Sequence, residues 1–318
     1  MTSQVINTTI NSVEEIADNV RLYTLSSADN QVLPSFSAGA HIDLLLDNGM
    51  VRQYSLCNQP ESPHYQVAVQ YEQEGRGGSA YIHQSLSAGD ALKINAPRNH
   101  FKLDNQAENY LLLAGGIGIT PIMLMAFELL AQGKSFQLYY LCRERSQAAF
   151  ADLLTEKLGD RVHFCFSQDT DSQRLDIPNL LAQQPENTQV YTCGSERLLQ
   201  SILTAAENQP SVQVHFERFS AAPQNEAIGN QGFEIELASS GQVLQVEPDQ
   251  SILQVLQSEG VQIETMCKEG LCGSCEVNLL EGEADHKDSV LTDSEKAEQS
   301  VLMACCSRAR SERLVLDL

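Results

Sequence analysis

Cys267-Lys-Glu-Gly-Leu-Cys272-Gly-Ser-Cys275 places three thiols within nine residues, and a fourth, Cys305, follows after 29 intervening positions. Gaps of four and two residues and then one long gap match the plant-type C-x4-C-x2-C…C spacing of a [2Fe–2S] cluster. Two irons and two bridging sulfides need four thiolates: a tight loop wraps three round one side, and a distant strand supplies the last. Gly270 and Gly273 lie between the ligands, where such a loop needs left-handed or closely approached backbone. Structural zinc and thioredoxin-like pairs also use C-x-x-C. Zinc sites, however, pair two such knuckles, and no second pair follows Cys275. None of the seven histidines completes a C-x-H pattern of the Rieske kind. Cys305 and Cys306 are adjacent. The spacing favours Cys305 as the ligand, with Cys306 on the opposite face of a strand, since side chains alternate along it.

Around this loop the sequence reads as a small sheet with one helix. Segments 233–237 and 242–247 alternate about Ser239-Ser-Gly241, which makes a hairpin. Ser251 is a candidate cap for a helix over 251–258, with Ile252, Val255 and Leu256 at helical spacing. Strands are expected at 276–280 and 313–317. The small, polar stretch 220–231, with Pro223 and Gly229, reads as an interdomain linker.

Upstream, strands and helices alternate from about 104 to 225. Tyr110-Leu-Leu-Leu-Ala114 is a buried strand, Gly115-Gly-Ile-Gly-Ile-Thr-Pro121 a glycine loop, and 122–130 a helix with Pro121 suited to its first position. Further strands are expected at 136–142, 161–166 and 189–193, and helices at 150–158 and 196–207. Such βα units imply a parallel sheet covered on both faces. Strand, glycine loop and helix form a nucleotide signature, because the helix N-terminus binds pyrophosphate. Pro121 replaces the third glycine of G-x-G-x-x-G.

Residues 1–103 read as short alternating strands (20–25, 41–46, 65–71) separated by turns such as Asp47-Asn-Gly49, hence a small antiparallel barrel or sandwich. Arg52-Gln-Tyr-Ser-Leu56 and Gly75-Arg-Gly-Gly-Ser79 stand out. An arginine beside the amides of a helix start suits a phosphate. The expected division is 1–103, 104–225 and 226–318: an antiparallel β-barrel, a Rossmann-like α/β domain, and a small sheet with one helix and the cluster loop that resembles the β-grasp domain of plant-type ferredoxins.

The bulk numbers bound the function. A net charge of −22 leaves no basic footprint for nucleic acid. From Gln231 onward, 17 acidic residues face 6 basic ones, a net of −11. That acidity serves solubility, or else a docking face for a cationic electron acceptor. No apolar run is long enough for a membrane helix, and the first residues lack the pattern of a signal peptide. Scattered cysteines beyond the four suit a reducing compartment. A cytoplasmic protein, a monomer, is the expectation.

The Arg52–Leu56 and Gly75–Ser79 stretches together resemble the flavin-binding barrel of the ferredoxin-reductase superfamily, and more closely the phthalate dioxygenase reductase family. Ala96-Pro-Arg-Asn-His-Phe101, Glu283-Ala-Asp-His-Lys-Asp288 and Met303-Ala-Cys-Cys-Ser-Arg-Ala309 extend the resemblance over the whole chain. It implies FMN, NADH and a [2Fe–2S] cluster held by Cys267, Cys272, Cys275 and Cys305. In that likeness Arg52 with Arg76, Gly77, Gly78 and Ser79 holds the FMN phosphate. Gln53 and Tyr54 line the flavin, with Tyr54 packed on its ring; Ser55 lies near N5, and the Ala68–Val69 backbone lines the ring. Gly116, Gly118, Thr120, Pro121 and Arg143 receive the dinucleotide. Cys193-Gly194 sits where the nicotinamide lies, and Phe219 stacks over the flavin. The family has proline after this Cys-Gly pair; here Ser195 follows. Ser55 and Cys193 are thus the expected residues of the hydride-transfer site, by proximity rather than as nucleophiles. Glu144 would repel a 2′-phosphate while Arg145 would attract one, so NADPH stays open beside NADH. Electrons would leave through the cluster to a Rieske-type terminal oxygenase that demethylates or hydroxylates a ring. A cytochrome P450 or a di-iron oxygenase is the alternative acceptor, and a redox sensor the non-enzymatic reading.

Overall fold

Alternating burial builds the first six strands: Val5–Ala17 (β1), Val20–Ser27 (β2), His41–Leu45 (β3), Val51–Ser55 (β4), Tyr65–Gln70 (β5) and, after the helix Gly78–Ser85 (α1), Ala91–Asn95 (β6). The structure is a computed structural model and describes residues 4–168, 174–219 and 231–318, so the linker read at 220–231 lies outside it except for Gln231. The strands form one antiparallel sheet in the order β4-β3-β6-β1-β2-β5. A bridge between Leu56 and Val67 joins its two edges into a barrel. On β5, Tyr65, Val67 and Val69 point inward with Ile82 of α1, while Ala68 points outward. Outward Val20, Leu22 and Ala68 share a second apolar cluster with the helices that follow.

That next region comprises Asn109–Gly115 (β7), Ile119–Ala131 (α2), Ser135–Cys142 (β8), Ala151–Leu158 (α3), Val162–Phe166 (β9), Ile177–Ala182 (α4), Thr188–Cys193 (β10), Glu196–Ala206 (α5) and Val212–Glu217 (β11). Its parallel sheet runs β11-β10-β7-β8-β9. Successive β7 residues feed opposite faces: Leu112 and Ala114 pack with α2 and α3, Leu111 and Leu113 with α4 and α5. The chain steps from β7 to β8 on one side and returns to β10 on the other. The gap beyond the C-terminal ends of β7 and β10 is therefore the topological switch point, where open α/β sheets take ligands. Pro121 is the third residue of α2, not the first: a 3₁₀ turn over Gly116–Gly118 runs straight into the helix and starts it earlier. Proline costs nothing there, because first-turn amides have no intrahelical acceptor.

Contacts divide the chain into two compact units, one ending at Glu217 and the other Arg218–Leu318. The second holds Phe233–Leu237 (β12), Gln242–Val246 (β13), Ile252–Ser258 (α6), Glu276–Glu281 (β14), Ala284–Asp285 (β15), Asp293–Glu298 (α7), Val301–Met303 (β16), Arg308–Ala309 (β17) and Arg313–Leu316 (β18). Its sheet runs β13-β12-β18-β14-β16, with β12 and β18 parallel. Ser251 caps α6 in a reciprocal box with Gln254. Cys305 and Cys306 follow β16 in a turn rather than on a strand, so strand alternation does not separate their side chains.

Candidate functional site

At the barrel, the Arg52 guanidinium donates to the main-chain oxygens of Val51 and Arg76, both at 2.9 Å. This lays it along the glycine turn at the start of α1. A Cβ on Gly78 would stand 2.2 Å from Arg52 Nε, so only glycine lets the arginine lie there. Ser79 Oγ accepts from the Glu72 amide at 3.0 Å and closes the turn. Arginine and the free amides of α1 thus converge on one anion-sized place. Gln53 Nε2 donates to Asp43 at 3.1 Å. Tyr54 packs against the barrel core. Ser55 is buried and its Oγ has no hydrogen-bond partner among the described residues. A buried hydroxyl left open costs stability unless a ligand or water completes it. Together these groups fit a flavin phosphate at one end and a ring at the other. Ala68 and Val69 are buried on β5.

At the switch point the two loops press together. A Cβ on Gly118 would lie 2.2 Å from the Cys193 carbonyl oxygen, and one on Gly194 would lie 2.9 Å from Gly115 Cα. Thr120 Oγ donates back to the Ile117 carbonyl at 3.0 Å. The N-terminus of thirteen-residue α2 has no side-chain cap, which leaves its amides for a pyrophosphate. Arg143 is exposed. Arg145 pairs with Asp152 at 2.7 Å and lies 5.6 Å over the Phe164 ring. Burial, with Glu217 adding to it, lifts the Cys193 thiol well above its ordinary range, which does not suit a nucleophile.

Two residues that no sequence motif marks connect these places. His41 pairs with Ser55 across β3 and β4, and Glu217 pairs with Cys193 across β10 and β11. His41 Nδ1 comes within 4.0 Å of Glu217 Oε1. A row Ser55–His41–Glu217–Cys193 therefore runs from barrel to switch point. Both His41 ring nitrogens and Glu217 Oε2 lack partners among the described residues. Burial, aided by the Arg98 guanidinium, pushes His41 down to about 4; burial lifts Glu217 to about 8. Arg98 itself binds Asp43 at 2.8 Å. Only the parallel register of β10 and β11, invisible in the sequence, would have pointed to Glu217.

In the second unit the Cys267 thiol neighbours those of Cys272 and Cys305, and Cys275 neighbours Cys305. Cys272 and Cys275 are buried. The loop turns its amides inward: Glu269 and Leu271 donate to Cys267 Sγ at 3.4 Å, and Gly270 donates to Cys305 Sγ at 3.2 Å. Amides aimed at sulfur stabilise thiolates, which suits a cluster. Among the described residues no three His, Cys, Asp or Glu converge on one metal ion. A binuclear cluster asks instead for two thiolate pairs spread round two irons. Cys306 stands on the other side of the same glycine, since a Cβ on Gly270 would meet its Sγ at 2.5 Å. Phe219, in this unit, is 39% exposed.

Comparison with known proteins agrees with this geometry. The oxidoreductase FAD-binding domain family matches residues 7–103, and the 2Fe-2S iron-sulfur cluster binding domain family matches 235–310. Between them, 91–212 matches the N-terminal domain of dimethylamine monooxygenase subunit DmmA-like proteins. Fold and site define a flavin- and iron–sulfur-containing oxidoreductase. Vanillate O-demethylase oxidoreductase of Pseudomonas sp. (strain HR199 / DSM 7063) is 41% identical over 98% of this chain and 100% of its own. Phthalate dioxygenase reductase of Burkholderia cepacia is 40% identical over 97% and 96%. The chain belongs to the phthalate dioxygenase reductase family. A solved phthalate dioxygenase reductase, described as modular for electron transfer from pyridine nucleotides to [2Fe-2S], superposes with TM-score 0.72 over 99% of this chain and 98% of its own, at 38% identity. An intact type IV self-sufficient cytochrome P450 monooxygenase superposes at 0.90 with 40% identity; this chain spans 41% of that one. No described helix is long and apolar enough to cross a membrane.

Proposed function

We propose that this chain is an NADH-dependent reductase that passes electrons through FMN to a [2Fe–2S] cluster and on to a Rieske-type terminal oxygenase. One observation carries the reading: a phosphate cradle, a dinucleotide crevice and a four-thiol loop occur together in a chain similar throughout its length to phthalate dioxygenase reductase. The division 1–103, 104–225 and 226–318 gives each of these its own domain.

Arg52 and the turn of Arg76, Gly77, Gly78 and Ser79 bind the terminal phosphate of FMN. Gln53, Tyr54, Ala68 and Val69 line the ring, and Ser55 offers its open hydroxyl at N5. Gly116, Gly118, Thr120 and Pro121 present the start of α2 to the pyrophosphate, with Arg143 at its edge. Cys193 and Gly194 form the floor under the nicotinamide. When bound, flavin accepts a two-electron hydride and gives up single electrons, which a one-electron cluster requires. Cys267, Cys272, Cys275 and Cys305 hold that cluster. NADH rather than NADPH is favoured because Arg145 is already engaged by Asp152 and Phe164, leaving Glu144 beside the ribose.

A haem acceptor is the second reading, favoured by the P450 chain that contains a similar region. Anaerobic stopped-flow decides between them. NADH-reduced protein is mixed with an oxidised Rieske oxygenase, a P450 or a di-iron protein while flavin and cluster absorbance are followed. Fast cluster reoxidation by the Rieske protein alone is expected; fast reoxidation by the P450 alone would replace the first reading by the second. The protein is taken as a cytoplasmic monomer that binds no nucleic acid, in line with its charge of −22.

A further inference from the structure

Behind the cluster loop lies a carboxylate to which no cationic side chain is hydrogen-bonded among the described residues. Asp288 has 0% of its side chain exposed. Its Oδ1 accepts from the amides of Val290 at 3.0 Å and Leu291 at 2.8 Å. Among the described residues its Oδ2 has no hydrogen-bond partner; it faces His286 Nδ1 at 3.8 Å, which likewise lacks one. Neighbouring Asp285, by contrast, pairs with Lys287 at 2.7 Å and Arg310 at 3.6 Å. Lys296 reaches the Asp288 main-chain oxygen at 2.9 Å.

This turn carries the cluster loop. Ser289 donates its amide to the Gly270 carbonyl at 2.9 Å. A Cβ on Gly270 would stand 3.0 Å from Asp288 Cα, so the two backbones touch. The amide of that same Gly270 points at Cys305 Sγ. A chain of contacts thus runs from the carboxylate through its own turn to a thiolate. Outer-shell groups of this kind fix ligands, and buried charge and amide–sulfur bonds set cluster potentials.

We propose that Asp288 is a positioning residue for the cluster: it pins the 288–291 turn that seats Gly270, and its buried negative charge holds the cluster's reduction potential low. The inference rests on the four-cysteine assignment above. A negative charge close behind the cluster disfavours the added electron, so reduction becomes harder.

The test is a spectroelectrochemical titration of the full, cofactor-loaded protein, with iron and sulfide counted per chain. Asp288→Asn keeps an oxygen for both amides and removes the charge. The expected result is full cluster loading, an upward shift of the cluster midpoint potential and an unchanged flavin potential. Full loading with an unmoved potential overturns the inference. Should D288N not hold its cluster, Asp288→Ser takes its place: its hydroxyl keeps an acceptor for the turn amides and removes the charge, so the potential must rise, and an unmoved potential there overturns the inference equally. A wild-type protein lacking the iron–sulfur absorbance and electron paramagnetic resonance would overturn the cysteine assignment itself, an outcome distinct from either variant's.

Discussion

At the residue scale, Gly270 separates two adjacent cysteines: its amide serves Cys305, and its open side accommodates Cys306. Cys305→Ser is expected to abolish the cluster's visible absorbance, whereas Cys306→Ser keeps it. The reverse pattern would make Cys306 the ligand. Glu217 and His41 give a second expectation, read in the flavin-free chain by thermal unfolding. Glu217 is raised from 4.5 to about 8, so between those values the folded chain holds a proton that the unfolded chain releases; stability falls as pH rises. His41 is lowered from 6.5 to about 4 and acts oppositely between those values. The two slopes oppose each other at lower pH, and from about 6.5 to 8 only the Glu217 decline remains. Glu217→Gln should flatten that decline; an unchanged slope would assign it to other groups.

At the element scale, the crevice exists because the loops after β7 and β10 touch. Gly118→Ala pushes a methyl into the Cys193 carbonyl. Overpacking of this kind costs about 1–3 kcal/mol. The variant should keep its flavin, with a raised KM for NADH in steady-state assays using ferricyanide; an unaltered KM would remove the α2 N-terminus from cofactor binding. The same elements separate what could be read in the sequence from what could not. The thiol spacing, the glycine loop and the βα rhythm are local patterns, and they were legible. β1 was not: its thirteen residues bury only Thr8 and Ile10, so no apolar alternation marks it, and pairing on both sides with β2 and β6 makes it a strand. The meeting of His41 and Glu217, 176 positions apart, depends on tertiary packing that no window of sequence contains. Nor does the sequence show that β16, only Val301–Met303, ends before Cys305 and Cys306, since the apolar run continues past it.

At the scale of the whole molecule, charge governs encounter. A surface of net −22 attracts cationic acceptors and repels anionic ones, and salt screens both effects. Electron transfer from the NADH-reduced protein to a cationic protein acceptor should slow as ionic strength rises from 10 to several hundred millimolar, roughly across the range where the Debye length falls from about 30 Å toward a few ångströms. Transfer to ferricyanide should quicken. Rates indifferent to salt would leave the acidity to solubility alone.

The middle position of β18 between β12 and β14 bears on how the protein is made. Leu314 and Leu316 are fully buried there, so this sheet has a missing centre until they arrive. Leu316 leaves the ribosome 41 positions after Cys275. At about 5–20 residues per second, roughly two to eight seconds of synthesis separate Cys275 from Leu316, and the sheet beside the loop cannot close before then. The fold that surrounds the cysteine loop is therefore completed by nearly the last strand to be made, and a chain cut short before β18 would lack the centre of that sheet.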